Sequence, residues 1–105
     1  MRAIDLDGSG WRTVVEFVGA LKFALRSPDW HGSSINAFVD SMVWGEINDL
    51  EPPYLVRVHS LPVDSKEIRE YIQDLPDALV WARQEHVKRD GTDVPVAIDL
   101  LETSA

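Results

Sequence analysis

The most informative part of this chain is residues 28–42, with the sequence PDWHGSSINAFVDSM. It begins as a loop, because Pro28 and Gly32 interrupt regular structure. A short helix follows, and either Ser33 or Ser34 can supply the side-chain oxygen that caps its first turn. The tryptophan in this loop precedes a helix with one apolar and one polar face, an arrangement that suits capture of a partner better than catalysis.

The helix after this loop is predicted to be amphipathic and to end at Trp44–Gly45. Asn36 and Asp40 lie four residues apart and must share its outward face. The predicted buried face consists of apolar residues at helical spacing, namely Ile35, Phe38 and Met42, with Val39 at its margin.

The charge of the chain is strongly acidic and unevenly placed. Eighteen Asp and Glu residues against ten Lys and Arg residues give a formal net charge of −8. No Lys or Arg occurs between Arg26 and Arg57, whereas five acids do: Asp29, Asp40, Glu46, Asp49 and Glu51. Such a field repels nucleic acids and anionic membranes and attracts cationic proteins. We therefore expect a basic protein as the partner, and neither nucleic acid nor membrane.

Composition and motifs argue against an enzyme. The chain has no cysteine, which excludes disulfides, thiol catalysis and zinc–thiolate sites and fits a reducing cytosol. The three histidines lack metal-ligand spacing, and residues 7–10 (DGSG) lack the spacing and lysine of a phosphate loop. The N-terminus has no signal-peptide pattern, and no apolar run could span a membrane. We expect a cytoplasmic protein without cofactor or metal.

Outward from residues 28–42, strand and helix patterns alternate. The predicted strands cover residues 2–6, 54–58 and 94–101, and the predicted helices cover residues 13–26, 33–45, 64–74 and 76–90. Strands separated by helical crossovers favour parallel pairing with right-handed connections. The predicted fold is α/β, a small three-stranded parallel sheet covered by about four helices in one domain, residues 1–105.

Two local features support the predicted helices. Thr13 and Glu16 have the spacing of a capping box at the start of the first helix. Trp11 can pack onto that helix as a hydrophobic staple, and Trp81 falls on the apolar side of the last helix. Both tryptophans are predicted to be buried.

These motifs together resemble the barstar family, the intracellular inhibitors of secreted bacterial ribonucleases. The similarity covers Leu6-Asp7-Gly8, the apolar pattern of the first helix, residues 28–32 and 35–42, and the end of the last helix at Lys88-Arg89-Asp90-Gly91. Over residues 28–42 the family typically shows Pro-acid-aromatic-aromatic-Gly, followed by a helix with a central aspartate.

The resemblance implies a partner-binding surface formed by the loop, the second helix and the last long helix. Asp40 stands at the family's central aspartate, which enters the ribonuclease active site in place of a substrate phosphate. Trp30 stands at an aromatic contact position and Gly32 at the loop glycine. The residues expected to bind the partner are Asp29, Trp30, Gly32, Asn36, Val39, Asp40, Trp44, Glu85 and His86.

Several positions depart from the family pattern. Asn36 occupies a position where the type member of the family has a second acid, and Val39 one where an interfacial tryptophan can occur. His86, beside Glu85, stands at an acidic contact near the end of the last helix. The segment between Trp44 and Tyr54 is longer than the family pattern. These departures bear on the identity of the target more than on the existence of an inhibitory surface.

The function expected from sequence is inhibition of a basic nuclease, a secreted ribonuclease or nuclease toxin, by a protein that is monomeric when free. An adaptor that keeps the scaffold but recognises a non-nuclease protein is the alternative, with Asn36 and Val39 in its favour. A small hydrolase with a Ser34–His31–Asp40 triad is the third possibility, although short helical spacing supplies no oxyanion hole.

Overall fold

Three parallel strands form the centre of the fold, which a computed structural model describes for residues 2–45, 47–61 and 66–101. They are β1 (Arg2–Asp7), β2 (Tyr54–His59) and β3 (Val96–Leu101), paired in the order β1-β2-β3. Both pairings are parallel, and the register aligns Ile4 with Val56 and Val56 with Ile98. This architecture confirms the predicted three-stranded parallel sheet.

Alternating side chains give the sheet two different faces. One face is covered by the helices and contributes apolar residues to the core: Ile4, Leu6, Tyr54, Val56, Val58, Val96 and Ile98. The opposite face is open and carries Asp5, Arg57 and Asp99 side by side across the three strands. Arg57 Nη2 and His59 Nε2 hydrogen-bond the Asp5 carboxylate at 3.0 and 2.6 Å. These bonds, Arg57's first, hold the pKa of Asp5 below its usual value.

The first helix, α1 (Val14–Leu25), begins at the predicted cap. The Glu16 amide donates to Thr13 Oγ1 at 3.3 Å, while the Glu16 carboxylate accepts from the Arg12 amide at 2.9 Å. The helix ends at Arg26, whose φ of 55° is left-handed. Its buried residues are Phe17, Val18, Leu21 and Leu25.

The second helix, α2 (Ile35–Val39), continues directly into a π-helical turn, Asp40–Trp44. Ser34 is the cap, and its Oγ accepts from the Ala37 amide at 3.0 Å. The wider turn is closed by a hydrogen bond from the Gly45 amide to the Asp40 carbonyl at 3.0 Å. The sequence predicted a helix ending at Trp44–Gly45 but not this change of helical type.

The last helix, α3 (Lys66–Asp90), is a single element where two helices were predicted. Pro76 lies inside it, although an interior proline removes one helical hydrogen bond at a cost of about 3 kcal/mol. An unbroken buried stripe offsets that cost, because tertiary packing supplies most helix stability. The stripe consists of Ile68, Ile72, Leu75, Leu79, Ala82 and His86. The described residues thus contain three α-helices where about four were predicted, and the predicted start at Asp64 lies outside them.

The two tryptophans predicted to be buried differ. Trp11 is 8% exposed and packs on Phe17 with ring centroids 5.2 Å apart, as predicted. The prediction for Trp81 is wrong, because its side chain is 64% exposed. Trp81 lies one helical turn after the exposed Asp77, on the side of α3 away from the buried stripe.

Candidate functional site

A tight turn presents Trp30 to solvent. The His31 amide donates to the Pro28 carbonyl at 3.0 Å, which places Asp29 and Trp30 at the two central positions of the turn. Asp29 is exposed, and Trp30 is 74% exposed. An aromatic side chain this exposed beside an acid is typical of a recognition surface, where a ring with few rotamers gains much from burial.

His31, the next residue, is buried and connects this turn to the second helix. Its ring lies 4.8 Å from the Phe38 ring, and Nε2 lies 2.7 Å from Ser41 Oγ. Nδ1 lies 2.6 Å from the Gly32 carbonyl oxygen. A carbonyl only accepts, so Nδ1 carries the proton in this bond. Sequence analysis gave neither His31 nor Ser41 a part in the binding surface, and a serine on the predicted buried side was the one signal of their contact.

The outward face of α2 and the π-helical turn carries the polar residues that the sequence placed there. Asn36 and Asp40 are both exposed, whereas Phe38 and Met42 on the opposite side are fully buried. Val39 is partly buried and packs against the core, so it offers less free surface than its neighbours.

The Asp40 carboxylate is exposed and uncommitted. Among residues 2–45, 47–61 and 66–101, no side chain donates a hydrogen bond to it or forms an ion pair with it. It lines a shallow hollow of about 160 Å³ together with Trp30, His31, Gly32, Ala37 and Ile47. The structure therefore brings three of the predicted contact residues, Trp30, Gly32 and Asp40, around one depression.

Gly32 is packed closely against the start of α2. A Cβ atom added at this position would lie 3.2 Å from the Ala37 Cβ, closer than most such contacts. Glycine at this position thus allows the loop backbone to lie directly on the helix beside Asp40.

A second group of predicted residues lies where the π-helical turn meets the end of α3. The Trp44 ring is 42% exposed, lies 4.8 Å from the His86 ring, and has the Arg89 guanidinium 5.9 Å from its centroid. Arg89 at this distance makes a cation–π contact with the face of the ring. His86 and Arg89 therefore hold the partly exposed Trp44 ring in place at the margin of the predicted binding surface.

His86 and Glu85 occupy different environments. His86 is 8% exposed, and its Nδ1 donates to the Thr92 carbonyl at 2.7 Å. Its Nε2 lies 3.6 Å from the Asp90 carboxylate. The geometry thus favours a supporting role for His86 under Trp44 over direct exposure to a partner. Glu85 is partly buried, with its carboxylate 3.4 Å from Lys88 Nζ.

Other chemistry has little basis in the described part of the chain. Within it, no three His, Asp or Glu side chains come together as a metal site would require. No described helix is long and apolar enough to cross a membrane. Ser34 Oγ is engaged as the cap of α2, where it accepts from the Ala37 amide.

Comparison with known families gives one match that covers almost the whole chain. The family model described as Barstar (barnase inhibitor) matches residues 1–99 of the 105. A comparison with curated proteins finds none that matches. Members of the matched family bind and inhibit barnase-type ribonucleases, which are basic proteins, and are not themselves enzymes. On this match and the α/β fold described above, the chain belongs to the barstar family.

Proposed function

We propose that this protein is an immunity-type inhibitor that blocks the active site of a basic ribonuclease made by the same cell. The Asp40 carboxylate occupies the subsite of a substrate phosphate, and Trp30 and Gly32 shape the loop against the rim of that site. Asn36 adds hydrogen bonds, and Trp44 and Glu85 extend the contact toward α3. The inhibitor acts in the cytoplasm, is monomeric when free and needs no cofactor.

The observation that carries this proposal is the uncommitted Asp40 carboxylate beside the exposed Trp30. A carboxylate on a rigid helix imitates phosphate toward a site built from Arg, Lys and His, with charge-assisted and bidentate contacts. No described group neutralises Asp40, so its charge is available to a partner. The adjacent indole supplies apolar area to exclude water from the charged contact, as interface hot spots require.

The electrostatics of the surrounding segment support the same partner. The absence of Lys and Arg between Arg26 and Arg57 leaves the acidic residues of this region without nearby positive side chains in sequence. A surface of one sign raises the association rate of an oppositely charged protein. Electrostatic steering is already well known for the barnase–barstar pair itself. The expectation that opposite charges speed association is therefore carried over from the family.

The departures at Asn36 and Val39 favour a target that differs from barnase in detail. Asn36 is exposed but uncharged, which removes one carboxylate from the helix face. Val39 is partly buried and offers a smaller contact than an aromatic residue. These positions also support the alternative function, an adaptor for a non-nuclease protein. A partner without ribonuclease activity, captured from the source organism and identified by mass spectrometry, would favour that alternative.

The decisive experiment compares Asp40→Ala with a charge-matched control, Asp77→Ala, on the outward side of α3. We expect Asp40→Ala to weaken binding to the ribonuclease by at least about 2 kcal/mol, or roughly thirtyfold, and to abolish inhibition of RNA cleavage. Asp77→Ala changes net charge equally and should bind almost normally. Calorimetry and an RNA-cleavage assay give the two readouts.

The same pair of variants separates function from folding. Because Asp40 is exposed, its replacement should change the free energy of unfolding, measured in urea, by no more than about 0.5 kcal/mol, as ordinary surface substitutions do. A loss of stability with unchanged binding would make Asp40 a structural residue and would contradict the proposal.

A further inference from the structure

The loop that presents Trp30 is bonded at three successive backbone carbonyls by side chains. The His31 carbonyl accepts from Lys22 Nζ at 2.8 Å, and the Gly32 carbonyl accepts from His31 Nδ1 at 2.6 Å. The Ser33 carbonyl accepts from the Tyr71 hydroxyl at 2.6 Å. We call these three bonds the carbonyl clamp.

The residues of the clamp connect the loop to α1, to α3 and to the π-helical turn. Lys22 lies in the last turn of α1, and Tyr71 lies in the first half of α3. His31 is joined through Nε2 to Ser41, inside the π-helical turn that begins at Asp40. The position of the Trp30 turn relative to Asp40 is therefore set from three directions, although neither Lys22 nor Tyr71 lines the hollow beside Asp40.

We propose that Lys22, His31 and Tyr71 are positioning residues that pre-organise the recognition loop, so that Trp30 and Gly32 stand in their binding geometry before a partner arrives. This inference rests on the proposed inhibitory function. A binding-competent state populated only in part weakens apparent affinity by that same fraction. A clamped loop avoids this loss, because its ordering cost is met during folding and not during binding.

The free protein offers a direct signature of the clamp. His31 should carry its proton on Nδ1, because the Gly32 carbonyl only accepts, whereas His59 should carry a proton on Nε2, which faces the Asp5 carboxylate. Long-range ¹H–¹⁵N spectra of the imidazoles distinguish these two patterns. Finding His31 with its proton on Nε2 alone would overturn its part in the clamp.

The functional test uses three variants that each remove one donor: Lys22→Met, His31→Phe and Tyr71→Phe. Lys66→Met and His59→Phe are matched controls, because Lys66 pairs with Glu70 and His59 with Asp5, away from the loop. We expect the backbone order parameters of residues 29–33 to fall from about 0.85 toward 0.6 in the three variants only. Tyr71→Phe and Lys22→Met keep the core intact if His31→Phe folds poorly.

Binding is then measured with purified barnase as the probe. If a variant leaves the loop closed for about one tenth of the time, its affinity should fall about tenfold. The closed fraction comes from the Trp30 and Gly32 amide shifts of the free protein, so loop order and affinity can be compared directly. Loss of affinity in proportion to that fraction, with both controls unchanged, is the expected result.

The possible failures are distinguishable. A loop that stays rigid in all three variants overturns the inference, whatever the binding data show. A loosened loop with undiminished affinity overturns the positioning role. Wild-type protein that inhibits neither barnase nor any ribonuclease that it captures from the source organism counts against the proposed function, while the order parameters of the free protein still decide the clamp.

Discussion

Two tryptophans occupy opposite environments within twenty residues of sequence. Trp11 is buried on the Phe17 ring and has little room beside Gly8, where an added Cβ would lie 3.0 Å from the indole. Trp30 stands at the tip of a turn with most of its ring in solvent. The same side chain thus stabilises the fold at one position and is available to a partner at the other.

These environments predict opposite effects of the same substitution. Trp11→Ala should lower the free energy of unfolding by about 3 kcal/mol or more, because it empties a packed aromatic site. Trp30→Ala should change it by no more than about 0.5 kcal/mol and instead weaken binding. Urea unfolding and calorimetry with the ribonuclease check the pair, and equal stability of the two variants would show that Trp11 is not a core residue.

At the scale of elements, two glycines have different backbone conformations: Gly45 ends the π-helical turn, whereas Gly19 lies within α1. Gly45, directly after the π-helical turn, has φ 83° and ψ −178°, a region that is almost exclusive to glycine. Gly19 lies inside α1 with ordinary helical geometry, and an added Cβ would meet nothing within 4 Å. A methyl group at these two positions therefore has opposite consequences.

Gly45→Ala should destabilise the protein by about 1–3 kcal/mol, because alanine is strained at this φ and ψ. Gly19→Ala should stabilise it by about 0.5–1 kcal/mol, because alanine loses less backbone entropy in a helix. Denaturant unfolding of both variants measures the difference. A neutral Gly45→Ala would mean that the turn relaxes to ordinary α-helix without cost.

An ion pair helps to hold the connection between α3 and β3. Arg83 donates to both carboxylate oxygens of Asp93 at 3.0 and 2.6 Å and also to the Val96 carbonyl at 3.3 Å. The hydrogen bonds from Arg83 hold the pKa of Asp93 below its usual value. The pair thus joins the end of the helix to the beginning of the last strand.

This lowered pKa predicts a pH dependence of stability. A carboxyl group whose pKa is lower in the folded than in the unfolded chain stabilises the fold above the unfolded pKa of about 3.9. That contribution disappears as pH falls through the folded pKa. Asp93→Asn should therefore lose less stability than wild type between pH 7 and pH 3, with Asp77→Asn as the charge-matched control. If the free energy of unfolding fell equally with pH in wild type and Asp93→Asn, this prediction would be contradicted.

The elements that were predictable from sequence are those with a local pattern. The capping box at Thr13, the strand at Tyr54 and the exposure of Asp40 follow from spacing alone, because periodicity reports which side of an element is buried. Pro76 misled the prediction, since the continuous stripe that offsets its cost is formed by tertiary packing. The carbonyl clamp left no local pattern, because Tyr71 reaches a carbonyl 38 positions earlier in the chain.

For the whole molecule, the net charge of −8 should govern how fast a basic partner arrives. Raising the ionic strength from about 0.01 M to 1 M shortens the Debye length from about 30 to 3 Å. We expect the association rate with barnase, measured by stopped flow, to fall at least about tenfold, with a much smaller change in dissociation. An association rate that does not depend on salt would argue against steering.

The uncovered side of the β-sheet has a consequence of its own. All-parallel sheets almost always hide both sides beneath helices, yet one side of this sheet carries the exposed Asp5 and Asp99 and the half-buried Arg57 between them. Stacking two molecules back to back would strip water from this charged row, and buried charges regain little of that loss by pairing. The charged row therefore disfavours association of two molecules through this flat face, and the face can remain in solvent without a second layer of helices.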